Sequence, residues 1–188
     1  RSVGAVLSSL QYLVQDIRDR GHEPDFELLS LILDYIDAFP ERLHHPKEDK
    51  YLFALLRART NEADRVLDEL QAEHAKGDAL IRTLRHTLAL YRVNGPAGFP
   101  AFASGVDDYV DFHWRHMRAE EDIILPLAER LLTEADWLIL DAAFSENSDP
   151  LFGPNPQDTL RKLFQLIVRL APAPLGLGGS PPPHRTHD

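Results

Sequence analysis

Apolar residues recur at intervals of three and four along most of this chain, the spacing that places side chains on one face of an α-helix. The pattern covers four long stretches, approximately residues 3–20, 25–56, 61–94 and 99–131. No segment shows a convincing alternation of apolar and polar residues, which is typical of a half-buried strand. Because the connections between the stretches are short, we expect consecutive helices to pack side by side. The sequence therefore predicts an all-α fold, an antiparallel four-helix bundle.

Two shorter helices are predicted after the bundle. Thr133, with Asp136 three residues later, is a capping pattern that opens a helix over "EADWLILDAAF". Asn155 followed by proline opens a last helix that ends near Leu170. These two helices are expected to be accessory to the bundle.

Proline and glycine content divides the chain. We assign residues 1–170 to a helical bundle domain and the Pro- and Gly-rich residues 171–188 to a flexible tail. Within the second helix, Pro40 and Pro46 are expected to kink or split the helix, since each lacks a backbone donor. Pro46 also disfavours helical geometry at His45, the residue before it.

The composition of the chain limits which partners it can bind and which residues can form a metal site. Thirty acidic residues against twenty basic ones give a net charge of −10, which disfavours nucleic acid and anionic membranes as partners. The chain has no cysteine, so a metal site would use His, Asp and Glu. No apolar run approaches the roughly 20 residues needed to cross a bilayer, and no signal peptide is visible. We therefore expect a cytoplasmic protein with neither a nucleic-acid nor a membrane partner.

A histidine stands four residues before a glutamate twice, in the pairs His44 with Glu48 and His116 with Glu120. Residues at this spacing lie on one face of a helix, one turn apart. The second pair shares its face with apolar residues of the fourth helix, and His74 lies on the apolar face of the third. Three helices are thereby predicted to direct histidine or glutamate into one bundle interior.

Several histidine and glutamate residues directed into one bundle interior are unusual for a structural core. A single inward histidine is more often a satisfied core residue than a ligand, and a glutamate after a histidine usually faces solvent. Buried ionised carboxylates, however, are costly unless they are paired or bound to a metal. Imidazole and carboxylate suit iron, and a carboxylate can bridge two cations. The pattern therefore predicts a metal site, and two such pairs with additional histidine are typical of a di-iron centre.

Three segments carry a resemblance to a known family: "HHPKEDKYLF" on the second helix, "EH" at 73–74, and "HMRAEEDIILPLAE" on the fourth. Together they resemble the hemerythrin-like, or HHE cation-binding, family over roughly residues 1–155. Carried over by position, the resemblance implies these metal ligands: His44, Glu48, His74, His116 and Glu120.

The resemblance also implies a function. It implies two non-haem, carboxylate-bridged iron ions, with zinc or manganese as substitutes, that bind a small diatomic ligand (O2 or NO) or sense iron or redox state. The alternative is a di-iron enzyme (an oxidase, or a peroxidase or catalase-like protein acting on peroxide) or an iron-donating repair protein. A metal-free helical interaction domain is a third hypothesis. Whether the chain is an enzyme and whether it forms a homo-oligomer stay open.

The first helix departs from the family pattern. The family places a further histidine there, whereas residues 1–20 contain none. The apolar face of Val3 and Leu7 extrapolates back to the position just before Arg1, where we expect that histidine in a preceding segment. Without it, one metal would be under-coordinated, and the site would be mononuclear, zinc-loaded or empty.

Four further residues are secondary candidates. His45 is either a substitute ligand or a cap, and His113 is either an alternative ligand or a hydrogen-bond donor to the ligands. Tyr109, one turn before His113, could hydrogen-bond a molecule bound to the metal. Glu73 lies at the edge of the apolar stripe of its helix.

Overall fold

The computed structural model describes residues 2–145 and, singly, Gln165 and Arg169. Within residues 2–145 the chain is helical apart from short connections, and it contains no strand. The α-helical elements are α1 (Ser2–Arg20), α2 (Phe26–Ile36), α3 (His45–Lys47), α4 (Ala54–Arg59), α5 (Asp64–Asn94), α6 (Phe99–Ala119), α7 (Leu125–Leu131) and α8 (Glu134–Ser145). A 3-10 turn over Gly95–Gly98 joins α5 to α6.

Three π-helical segments join shorter helices into continuous rods. They are π1 (Asp37–His44), π2 (Glu48–Phe53) and π3 (Glu120–Ile124). The first two link α2, α3 and α4 into one rod, the second rod, and the third links α6 to α7 as the fourth rod. Wide π-helical turns inside α-helices often occur at functional sites. Here they lie where the chain carries its paired histidine and glutamate residues.

The two prolines of the second rod do not split it. Pro40 lies inside π1, where the N–H of His45 donates to the carbonyl of Pro40 five residues earlier. His45, directly before Pro46, keeps helical dihedral angles (φ −55°, ψ −42°). The prediction that Pro46 disfavours helical geometry at His45 is therefore wrong. A wider turn accommodates the missing donor and the bulk of the ring, so the helix continues.

Side-chain caps fix several helix ends. The carboxylate of Asp25 accepts from the N–H of Leu28 and caps α2. At the start of α8, Thr133 and Asp136 each accept a hydrogen bond from the other's backbone N–H, as in a capping box. The third helix, expected to start near Asn61, begins at Asp64 instead. A short turn, in which the N–H of Asp64 donates to the carbonyl of Asn61, precedes it.

Four rods surround the core: α1, the second rod, α5 and the fourth rod. The helix α6 contacts both α1 and α5, and α2 also contacts both α1 and α5. Gly4 near the start of α1 lies against Trp114 late in α6, whereas Arg18 near the end of α1 pairs with Asp107 earlier in α6. The two contacts therefore occur in opposite order along α1 and α6.

In residues 2–145, the buried apolar side chains form two clusters. The first draws on α1, α2, α6 and the second half of α5. The second draws on α4, α7, α8 and the first half of α5. Between the two clusters lie buried polar residues of the second rod, of α5 and of the end of α6. The fold therefore places a polar band across the bundle interior and encloses it with apolar side chains at both ends.

Some predictions fall outside the described residues. These are the last helix, over about 155–170, the flexible tail over 171–188, and the domain boundary between them. Of the helices that the structure describes, none is both long and apolar enough to cross a membrane.

Candidate metal centre

Four buried side chains in the polar band converge on one point. One ligand atom from each of His45, Glu48, His74 and His116 lies within 4.8 Å of the corresponding atom of every other member. The second rod supplies His45 and Glu48, α5 supplies His74, and α6 supplies His116. We call these four residues the inner group. Since three rods contribute, the site exists only in the folded bundle.

Short distances show how tightly the inner group is packed. The Nε2 atoms of His74 and His116 are 3.2 Å apart, and Glu48 Oε2 lies 3.7 Å from His74 Nε2. The rings of His45 and His74 stack with their centroids 4.3 Å apart. Two imidazole nitrogens and a carboxylate oxygen therefore face one small volume, which is the arrangement a chelated cation requires.

Several buried polar atoms in this region have no hydrogen-bond partner. They are Glu41 Oε2, His45 Nδ1, Glu48 Oε2, His113 Nδ1 and Glu120 Oε1. Leaving a buried polar atom unsatisfied is costly, and most native structures avoid it. A cation would satisfy carboxylate oxygens and imidazole nitrogens together. The residues present thus fit a bound metal ion.

Carboxylates outside the inner group orient two of its imidazoles. His74 Nδ1 lies 2.9 Å from Asp49 Oδ1, and His116 Nδ1 lies 3.0 Å from Glu73 Oε2. A metal-binding histidine usually gives its other ring N–H to a partner of this kind, which fixes the tautomer and the ring orientation. Both Nε2 atoms therefore point toward the interior of the inner group. The sequence signal for these two carboxylates is adjacency to a predicted ligand. Glu73 stands directly before His74, and Asp49 stands directly after Glu48.

The structure distributes the five sequence-predicted ligands unevenly. Glu48, His74 and His116 belong to the inner group. Glu120 lies at its edge, with Oε1 3.1 Å from His116 Nε2 and 4.0 Å from His74 Nε2. His44 lies on the outer side of Glu48, with its Nε2 3.1 Å from Glu48 Oε1.

His45 occupies the inward position that the helical spacing assigns to His44. The side chain of His45 is 8% exposed and that of His44 is 34% exposed. A π-helical turn holds more residues than an α-helical turn, and π1 ends at His44. The extra residue changes the phase of the second rod, so the inward direction falls on His45.

Glu41 is a buried residue that the sequence pattern missed. Its side chain is 1% exposed, and its Oε2 lies 3.3 Å from His45 Nδ1. Glu41 precedes His45 by four residues, so the spacing is the same as in the two His–Glu pairs but in reverse order. A search for glutamate four residues before histidine would have found it.

The side chains of the inner group change one another's pKa values. Burial lowers the pKa of His116, but its contacts with Glu120 and Glu73 outweigh burial and raise the pKa to about 9. Burial, together with the nearby His45 and His116, lowers the pKa of His74 to about 3. Burial raises the pKa of Glu48, yet the surrounding histidines, His44 first, bring it below its usual value. In the absence of metal, His116 is thus the protonated partner of the carboxylates and His74 stays neutral.

Metal binding is expected to strengthen as the pH rises from about 6.5 to about 9. His116 must lose its proton to ligate, and its pKa is raised from 6.5 to about 9, so an incoming ion displaces a proton throughout this range. One displaced proton corresponds to about tenfold in affinity per pH unit. Competition between the protein and a chromophoric chelator for Zn²⁺, corrected for the chelator's own titration, measures this slope. A Zn²⁺ affinity that stays constant between about pH 6.5 and about pH 9 would contradict the expected displacement of a proton.

A comparison with protein families agrees with the site. The sequence model of the Hemerythrin HHE cation binding domain matches residues 5–128, well over half of the chain. This range includes every residue of the inner group, along with His44 and Glu120. No curated protein and no solved structure gives a significant match. On the match over residues 5–128, the chain belongs to the hemerythrin HHE cation-binding family.

Proposed function

We propose that this chain is a non-haem iron protein whose buried centre binds O2 or NO, or senses iron or redox state. The observation that carries the proposal is the inner group: four buried ligand atoms, each within 4.8 Å of the others. Membership of a cation-binding family supports a metal at this position. Two iron ions bridged by carboxylate are the occupants we propose.

The donor set favours iron among the common metals. The inner group offers three imidazoles and one carboxylate, and the chain has no cysteine to supply thiolate. Mixed imidazole and carboxylate ligands suit iron, whereas a set of carboxylates alone would suit magnesium or calcium. Zinc and manganese can occupy the same donors, so metal identity needs a direct measurement.

More donors surround the centre than one ion needs. Besides the inner group, Glu120 and Glu41 each leave a buried carboxylate oxygen without a hydrogen-bond partner. Glu48 and Glu120 approach His74 from different rods, and each has two oxygens with which it could bridge. This surplus of carboxylate supports a centre with two metal ions rather than one.

A cavity of about 390 Å³ gives access to the centre. His45, Glu48 and His116 line it on the metal side, and Trp137, Leu140 and Phe144 of α8 belong to its mostly apolar wall. Apolar side chains admit a small neutral molecule while they disfavour charged solutes. When bound, iron supplies a coordination position and the electrons for binding a diatomic molecule. The protein's part is to hold the imidazoles, keep bulk water out and admit the ligand through this cavity.

The size of this cavity favours a second candidate, an enzyme. A diatomic molecule fills only a small part of about 390 Å³, and cavities of this size commonly hold small organic molecules. A di-iron oxidase, or a protein with peroxidase or catalase-like activity, would use the same ligands. Net consumption of peroxide or of an organic reductant by the loaded protein, over many turnovers per chain, would favour the enzyme over the binding protein.

Optical spectra of the loaded protein test the proposed function. Protein reconstituted with Fe²⁺ without oxygen should give a new visible absorption band when NO or O2 is added. Metal-free protein, treated in the same way, is the control and should give no band. A protein that carries its full iron complement but shows no spectral response to either gas would overturn the binding proposal and leave only metal storage or a structural role.

A further inference from the structure

A second polar cluster adjoins the inner group. Glu41, His113 and Tyr109 form it, with Glu41 on π1 and the other two on successive turns of α6. The side chains of Glu41 and His113 are 1% and 2% exposed, and Tyr109 is fully buried. None of the three is among the ligands that the family resemblance implies. We call this trio the outer cluster.

The contacts within the outer cluster centre on the Glu41 carboxylate. The Tyr109 hydroxyl donates to Glu41 Oε1 over 2.7 Å, and His113 Nε2 lies 3.1 Å from the same oxygen. The other oxygen, Oε2, lies 3.3 Å from His45 Nδ1 without a hydrogen bond between them. His45 is thereby the member of the inner group that lies against the outer cluster.

The backbone of α5 leaves room for this carboxylate. A Cβ atom at Gly77 would lie 2.8 Å and 2.9 Å from the two oxygens of Glu41, closer than real Cβ contacts allow. Glycine is otherwise unfavourable in a helix interior, by about 1 kcal/mol relative to alanine. The absence of a side chain at position 77 is therefore what permits Glu41 to lie fully inside the bundle.

Hydrogen bonds inside the outer cluster do not satisfy all its polar atoms. Glu41 Oε2 and His113 Nδ1 are both buried and unpartnered. In the described part of the chain, the ion pairs of Glu41 are with His45 and His113 and not with lysine or arginine. A carboxylate and an imidazole left in this state have the chemistry of metal ligands rather than of a closed hydrogen-bond network.

We propose that Glu41 and His113 are ligands of a second metal position, next to the one formed by the inner group. The inference rests on the proposed function, because it requires that the centre bind metal at all. Residues 2–20 of α1 contain no histidine, so the second position takes its protein ligands from the second and fourth rods. Tyr109 acts as a positioning residue: its hydroxyl holds Oε1, which leaves Oε2 as the oxygen that can ligate.

Metal stoichiometry tests this assignment. Metal-free protein would be titrated with Fe²⁺ without oxygen, freed of unbound ion, and subjected to elemental analysis. We expect about two ions per chain in the wild type and about one in Glu41→Gln and in His113→Ala. Asp37→Asn is the matched control, because Asp37 is a buried acid on the same π-helical segment but pairs with Arg42. It should keep both ions.

Two further variants separate ligation from folding. Gly77→Ala keeps both ligands but places a methyl group against Glu41, and it should also lose the second ion. Tyr109→Phe should keep two ions and bind the second more weakly, by about 10- to 100-fold, as expected for loss of a group that orients a ligand. Circular dichroism establishes which variants are folded, and metal content is compared only among folded variants.

The outcomes separate this inference from the proposed function. A wild type that binds no ion overturns both. A wild type with about one ion, or a folded Glu41→Gln with about two, overturns the second position and leaves the inner group as the metal site. A folded Glu41→Gln with no ion also overturns it, since Glu41 would then belong to the first position.

Discussion

Replacing His74 with alanine is expected to abolish metal binding by the inner group, lowering its affinity by more than about 100-fold. Mutation of groups that merely orient a ligand typically costs about 10- to 100-fold, and loss of a ligand costs more. His74 is the one contribution of α5 to the inner group, and its Nε2 faces both His116 and Glu48. Its removal therefore opens one side of the site, which no other side chain of the inner group can cover.

The fold should survive this change. The apolar clusters lie on both sides of the polar band, and neither includes His74. His86→Ala is the matched control, because His86 is on the same helix but exposed. Both variants should give the same circular dichroism, while only His74→Ala loses metal in an anaerobic Fe²⁺ titration. Equal metal binding by the two variants would show that His74 is not a metal ligand.

His45→Ala is expected to lose metal binding, whereas His44→Ala should retain it with a smaller loss. His45 belongs to the inner group, and His44 contacts Glu48 from the outer side, where its side chain is 34% exposed. A loss of about 10- to 100-fold is the expected cost of removing a residue that orients Glu48. His45→Ala removes a ligand and should cost more.

The same pair of variants tests the π-helical register of the second rod. In a regular α-helix, His44 would lie one turn before Glu48 on the same inward face. If His44→Ala loses metal while His45→Ala keeps it, the rod has the α-helical phase in the loaded protein. Zn²⁺ affinities of both variants, measured side by side with the wild type, decide between the two registers.

Most of the fold follows from the sequence because its signals are local. The spacing of three and four in the apolar residues predicts the four rods, and capping residues such as Asp25 and Thr133 mark where α2 and α8 begin. The continuity of the second rod does not follow in this way. Two prolines in the sequence predict a break in this helix. The wide π-helical turn at Pro40, shortly before Pro46, is visible only in the packed structure.

The site follows from the sequence only where the helical phase is regular. His74 and His116 lie in the long helices α5 and α6, so counting along the apolar stripe predicts their inward direction correctly. His45 and Glu41 lie in or beside π1, where an extra residue shifts the phase. Pairing between distant residues, such as that of Glu73 with His116, depends on which rods are neighbours and is invisible to local patterns.

A histidine directly before Arg1 stays a prediction. Val3 lines the cavity beside the centre, so the start of α1 is close to the metal side of the bundle. A preceding histidine would reach the same region. The outer cluster offers a second way to complete the centre from Glu41 and His113. The stoichiometry of variants in the outer cluster, measured with and without a histidine added directly before Arg1, would separate these two sources of ligands.

Metal analysis of the purified protein tests the central claim most directly. Protein expressed in iron-replete medium and purified without chelator would be analysed for iron, zinc and manganese by mass spectrometry, with protein concentration from amino-acid analysis. We expect about two iron atoms per folded wild-type chain and the loss of at least the inner-group ion in His74→Ala. Folded protein without iron, or with zinc at full occupancy and no uptake of Fe²⁺ after zinc removal, would contradict the claim.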